Sequence, residues 1–113
     1  MAKKLPSESD LNKIDVIQAV LCDAYKLRRF ELLRRTNSSI QKEARSIGLY
    51  IASHVTTCSA EQASKAFLYA RPNAYFAAIA DIKKRLSVDE DFKQWVLATA
   101  KQVAIRYKQH YSL

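Results

Sequence analysis

The stretch Phe67–Phe76, FLYARPNAYF, sets an arginine and an asparagine on either side of a proline. Arg71 carries the planar fork that pairs bidentately with guanine. Asn73 carries the amide that pairs bidentately with adenine, each such contact discriminating by about 1–3 kcal/mol. Pro72 suits the first position of a helix, where its missing N–H does no harm. Ala74 follows at the same helix start, and Ala77 and Ala80 on an exposed face would let the helix sit deep in a groove. Plainer assignments stand beside these: Asn73 as a helix-start residue bonding its own backbone, and Arg71 as a solvated turn residue.

A second set of residues has the chemistry to hold phosphates. Between Lys26 and Arg45 lie seven cations and two acids, which is most of the chain's net charge of +8. Arginines dominate the window, and their forked guanidinium matches phosphate oxygens better than an ammonium does. Arg34, Arg35, Lys42 and Arg45 are the candidate backbone contacts. Ser38, Ser39 and the N–H groups of the next helix start could add neutral ones. Lys83-Lys84-Arg85 forms a second cluster, read as backbone-facing or simply exposed. A pI near 9.7 calls for an anionic partner, nucleic acid first and an anionic membrane second. A generic basic, solvated surface is the alternative.

Nothing assembles into a catalytic constellation, and the chain reads as a non-enzyme without cofactor or small-molecule substrate. His54 falls at a helix end, where histidines meet terminal carbonyls, and His110 falls in the tail. Asp89-Glu90-Asp91 reads as a helix start, where acids complement the dipole. Cys22 and Cys58 lack CxxC spacing and read as reduced, half-buried thiols rather than a zinc site. Gly48 is the sole glycine, so no glycine-rich phosphate loop is present.

The elements that must position these residues are helices. One glycine and two prolines leave little for hairpin turns, and 49% hydrophobic residues fit a folded globule. Ser7–Asp10 starts an apolar stripe of Leu11, Ile14, Ile17, Leu21 and Tyr25. Leu27, Phe30 and Leu33 either continue that helix or form a short second one. A capping box of Ser38 and Gln41 precedes the stripe Ile40, Ala44, Ile47, Ile51 and Val55. Ser59 with Gln62 caps a short helix holding Ala63, Ala66 and Phe67. From Pro72 the stripe Tyr75, Ile79, Ile82 and Leu86 follows, with Phe76 leaning to the core. Ser87–Glu90 reads as the last capping box, before Phe92, Trp95, Val96, Thr99 and Val103. Residues 1–10 are expected as a disordered arm, 11–106 as the domain and 107–113 as a flexible tail. The expectation is an all-α fold of five to six helices, with a short helix, a turn and a longer helix in the helix-turn-helix plan.

Taken in order, VLCDAYKLRRFELLRRTNSS and EARSIGLYIASHVTTCSAEQASKAF resemble the C-terminal DNA-binding domain of the bacterial replication initiator DnaA, a Trp-repressor-like helix-turn-helix. The correspondence runs from about Val16 to Val96. It is best at Ala44-Arg45, Ile47, Leu49, Tyr50, Ala52, Ser59 and Ala66-Phe67. The resemblance implies that Arg45 grips a backbone phosphate and that Arg34 and Arg35 belong to a basic loop reaching phosphates and the adjacent minor groove. Glu61 stands where the family has a neutral residue. Leu68 and Tyr69 stand where the family has its turn glycine, and Arg71-Pro72-Asn73-Ala74 replaces its base-reading signature. The family's DNA target is therefore not implied.

The leading expectation is sequence-specific binding of double-stranded DNA by a small bacterial or phage-derived transcription regulator, located in the cytoplasm with the nucleoid. It requires the arginines before Ile40 to share a surface with the amino end of the helix at Pro72. The alternative is a protein-interaction module, docking on RNA polymerase or another regulator through Leu68, Tyr69 and Phe76. A membrane partner is not expected, because the cationic segment lacks the apolar opposite face of an interfacial helix.

Overall fold

The computed structural model describes residues 7–34, 38–67 and 72–111, with the backbone alone at residues 72 and 73. Among them the chain is all helical. The six helices are α1 (Glu8–Tyr25), α2 (Arg29–Leu32), α3 (Ser39–Val55), α4 (Ala60–Ala66), α5 (Pro72–Val88) and α6 (Glu90–Tyr111). None of the described helices is long and apolar enough to cross a membrane.

One core joins all but α2. Ile14, Ile17 and Leu21 of α1 face Ile47 and Ile51 of α3, with Phe67, Ile79, Ile82, Phe92, Val96 and Val103 closing around them. Cys22, Leu32 and Ala44 form a smaller cluster that seats α2. The apolar stripes thus do their expected work, except at their outer ends and at Trp95, which is 38% exposed. Leu11 and Ile40 are exposed, because each lies in the first turn of its helix, beyond the neighbours that cover the later residues. The only glycine sits where two elements press on α3. A Cβ on Gly48 would lie 2.5 Å from Phe67 Cε1 and 2.9 Å from Leu21 Cδ1, well inside carbon–carbon contact.

Helix ends follow local chemistry. Ser7 Oγ accepts from the Asp10 N–H to start α1 at Glu8, inside the expected arm. The Asp10 carboxylate then reaches across the fold, accepting from the Thr57 N–H at 3.2 Å and Thr57 Oγ1 at 2.5 Å. Lys26 ends α1 in the left-handed conformation, φ 55°, which is why α2 is a separate helix. Ser59 and Gln62 form the expected reciprocal capping box. Gln41 instead donates to the Glu31 carbonyl at 2.7 Å and holds α2.

Two boundaries differ from expectation. Ser87 is still inside α5, where its hydroxyl donates to the Lys84 carbonyl. Asp89 starts α6, its carboxylate accepting from the Phe92 N–H at 3.0 Å. At the other end α6 stays helical through Tyr111 rather than fraying at residue 107. Tyr107 meets Ser9 at 3.2 Å and takes the Lys13 ammonium over its ring, so α1 holds the last turns of α6.

Candidate nucleic-acid interface

Helix α5 turns Tyr75, Ala78, Ile79 and Ile82 inward. Its other side presents Ala74, Ala77, Ala80, Asp81, Lys83 and Lys84 to solvent. Ala74 and Ala77 are therefore exposed. Asn73 is the second residue of α5, its side chain outside the described residues, and Arg71 lies outside them too, as do Leu68 and Tyr69. Phe76 is not core. It is 59% exposed, because the inner face is already filled by Tyr75, Ala78 and Ile79, and its ring meets Tyr75 edge-on at 5.1 Å. Asp81 sets one acid among these exposed positions.

Helix α4 is braced behind α5. Gln18, buried on α1, donates from Nε2 to the Ala66 carbonyl at 3.0 Å, at the end of α4. Its Oε1 accepts from Arg29 Nη1 at 3.1 Å, and Arg29 also pairs with Asp15 at 2.9 Å. One amide side chain thus ties α1 to both α2 and α4. The next residue after α4, Phe67, is fully buried against Gly48 and Leu21.

The basic segment departs from expectation at its central residue. Arg45 is only 8% exposed, and its Nη1 donates to the Leu32 carbonyl at 3.2 Å and the Arg34 carbonyl at 2.6 Å. It closes the carboxyl end of α2 instead of facing solvent for a phosphate. The physical reason is that a four-residue helix leaves its carbonyls without intrahelical partners, and a buried guanidinium in turn needs acceptors. Gln41, Arg45, Gly48 and Ala52 share one face of α3, so the small residues that let neighbours approach were the sequence signal for this inward arginine. Arg34 and Lys42 are exposed, Ser38 is the residue that begins α3, and Arg35 lies outside the described residues.

Four helix ends meet at one cluster. Glu43, near the start of α3, pairs with Arg85 of α5 and accepts from the Tyr25 hydroxyl at 2.8 Å. The Arg85 guanidinium lies 3.8 Å above the centre of the Phe92 ring, and Trp95 meets Tyr25 edge-on at 5.6 Å. Burial, and then the bond to the Glu43 carboxylate, push the Tyr25 phenol well above its usual range.

This cluster fixes the sense of packing. The carboxyl end of α5 lies by the start of α3, while Tyr75, near the amino end of α5, and Cys58, just past the end of α3, pack into the same core. The two helices run in opposite senses. The start of α3 therefore adjoins the carboxyl end of α5, while Arg35 and Arg71, on which the expected shared surface rests, lie outside the described residues. From Ala74 to Arg85 is about 17 Å of helix. Lys42 adjoins Glu43 in sequence and Lys84 adjoins Arg85, so exposed lysines neighbour this ion pair on both helices.

The remaining chemical groups stay apart. His54 is exposed against the Tyr50 ring at 4.6 Å, and His110 is exposed on the last turns of α6. Cys22 and Cys58 are free thiols whose ionisation burial pushes up. Compared with models of known protein families and with curated proteins, the chain matches none.

Proposed function

We propose that this chain is a helix-turn-helix module that binds double-stranded DNA sequence-specifically, in transcription control. Helix α4 is the brace and α5 the helix that enters the major groove, whose width of about 12 Å admits one helix. The observation that carries this reading is the exposed side of α5. Small residues at Ala74, Ala77 and Ala80 lead along one helix to the exposed Lys83 and Lys84. Bases are read from the amino half, where Arg71 and Asn73 stand in the sequence. Phosphates flanking the groove are met by Lys83 and Lys84, with Arg34 and Lys42 as further exposed cations. Arg45 serves by holding α2 and not by touching DNA.

Selection of bound sequences from a randomised duplex pool tests this. A shared motif, bound with an affinity that falls steeply with salt, supports it. Retention of no duplex at low salt refutes it.

A second reading, a module that docks on another protein through α5, is favoured by Phe76 and Asp81. A large exposed aromatic, with an acid elsewhere on the exposed part of the same helix, suits a protein surface better than a phosphate-lined groove. Capture of RNA polymerase by the intact chain, lost on Phe76→Ser, would decide for it.

A further inference from the structure

Away from the amino half of α5, helices α3, α5 and α6 enclose a groove of about 310 Å³. Leu86, Val96 and Leu97 line it with the Tyr50 ring, and Lys83 and Lys93 stand at its edge on α5 and α6. Leu97, on the groove wall, is 54% exposed. Among the described residues neither lysine has an ion-pair partner. The nearby acids are engaged elsewhere. Asp89 accepts from the Phe92 N–H and Glu90 from Gln94 Nε2, while Asp91 lies about 200° around α6 from Lys93.

We infer that this groove docks an acidic amphipathic helix of a partner protein. Its apolar side chains rest on Leu86, Val96 and Leu97, and its carboxylates pair with Lys83 and Lys93. This is the helix-in-groove mode, in which apolar anchors give contact and flanking charges give register. Charge complementarity selects this occupant. A second copy of the chain would bring another +8 against these lysines, and a small enclosed ligand would leave the exposed part of Leu97 in water. The inference does not rest on DNA binding. If both hold, the docked helix and a duplex compete for Lys83.

The test uses the full chain and a fluorescein-labelled helical peptide with leucines at i, i+3, i+4 and i+7, flanked by glutamates. A matched peptide carries lysines in place of the glutamates. Saturable anisotropy change with the acidic peptide alone is expected. Lys83→Glu with Lys93→Glu, and separately Leu97→Ser, should weaken it at least about tenfold. These side chains are exposed, so an unchanged circular dichroism spectrum separates lost docking from lost folding. Equal binding of both peptides, indifference to charge reversal, or no saturation up to millimolar peptide overturns the inference. Displacement by octanoate, or self-association abolished by Leu97→Ser, also overturns it, by giving the groove to a small amphiphile or a second copy. Duplex binding measured on the same protein keeps the two readings separately testable.

Discussion

Replacing Gly48 with alanine sets two effects of opposite sign against each other. At a helix interior the exchange ordinarily stabilises by about 1 kcal/mol, because glycine loses more conformational freedom on folding. Here the new methyl would sit 2.5 Å from Phe67 Cε1, 2.9 Å from Leu21 Cδ1 and 3.0 Å from Phe67 Cζ. Carbon atoms rest at about 3.5–4.0 Å, so the Phe67 ring must retreat by roughly 1 Å. Phe67 and Leu21 are both fully buried. Overpacking of that kind costs about 1–3 kcal/mol, and the upper half of the range applies to a rigid buried ring. The net expectation is a loss of about 1–2 kcal/mol, or roughly 5–10 °C in thermal midpoint for a chain of this size. Thermal and urea unfolding followed by circular dichroism measure it. Phe67→Leu in the Gly48→Ala background should recover part of the loss, with a favourable coupling of about 1 kcal/mol. A Gly48→Ala protein more stable than the parent would refute the close approach of α3 and Phe67.

Other perturbations test the braces of the fold. The hydrogen bond from Thr57 Oγ1 holds the Asp10 carboxyl below its usual range, against the opposing effect of burial. Its contribution is present above about pH 4 and fades as the pH falls through the lowered folded value. Urea midpoints from pH 7 to 3 should therefore drop more steeply for the parent than for Asp10→Asn, which at pH 7 loses about 1–3 kcal/mol. Tyr25 has the opposite sign. Its raised phenol contributes stability that is complete below about pH 10 and lost above it. Absorbance titration should show this tyrosine ionising only with unfolding, and Tyr25→Phe should remove that step. Gln18→Ala should cost about 1–2 kcal/mol and speed amide exchange in α4, since it frees the Ala66 carbonyl and one Arg29 contact.

Much of the fold was legible because its signals are local. The stripes Ile14–Ile17–Leu21 and Tyr75–Ile79–Ile82 repeat at helical spacing, and Ser59 with Gln62 and Pro72 mark helix starts by their own hydrogen-bonding chemistry. What stayed hidden depends on residues distant in sequence. The order of α6 past residue 107 comes from Ser9 and Lys13 of α1, nearly a hundred residues away. Arg45 looked like a solvent cation because the small residues on its face, Gly48 and Ala52, hint at burial but say nothing of the distant α2 carbonyls that it satisfies. Phe76 looked apolar enough for the core, yet Tyr75 and Ala78 already occupy the inward positions. The opposed sense of α3 and α5 could not be read at all from periodicity. It is fixed by Glu43 meeting Arg85.

The most direct measurement is the salt dependence of duplex binding for the parent chain beside Lys83→Gln with Lys84→Gln and beside Arg45→Gln. With phosphates met at the carboxyl end of α5, the lysine pair should weaken all sequences alike and flatten the slope of log K against log salt by about two. Arg45→Gln should lower stability while leaving that slope unchanged in protein that remains folded. An unchanged slope for the lysine pair, with the slope lost in folded Arg45→Gln, would contradict the placement of the DNA on this face.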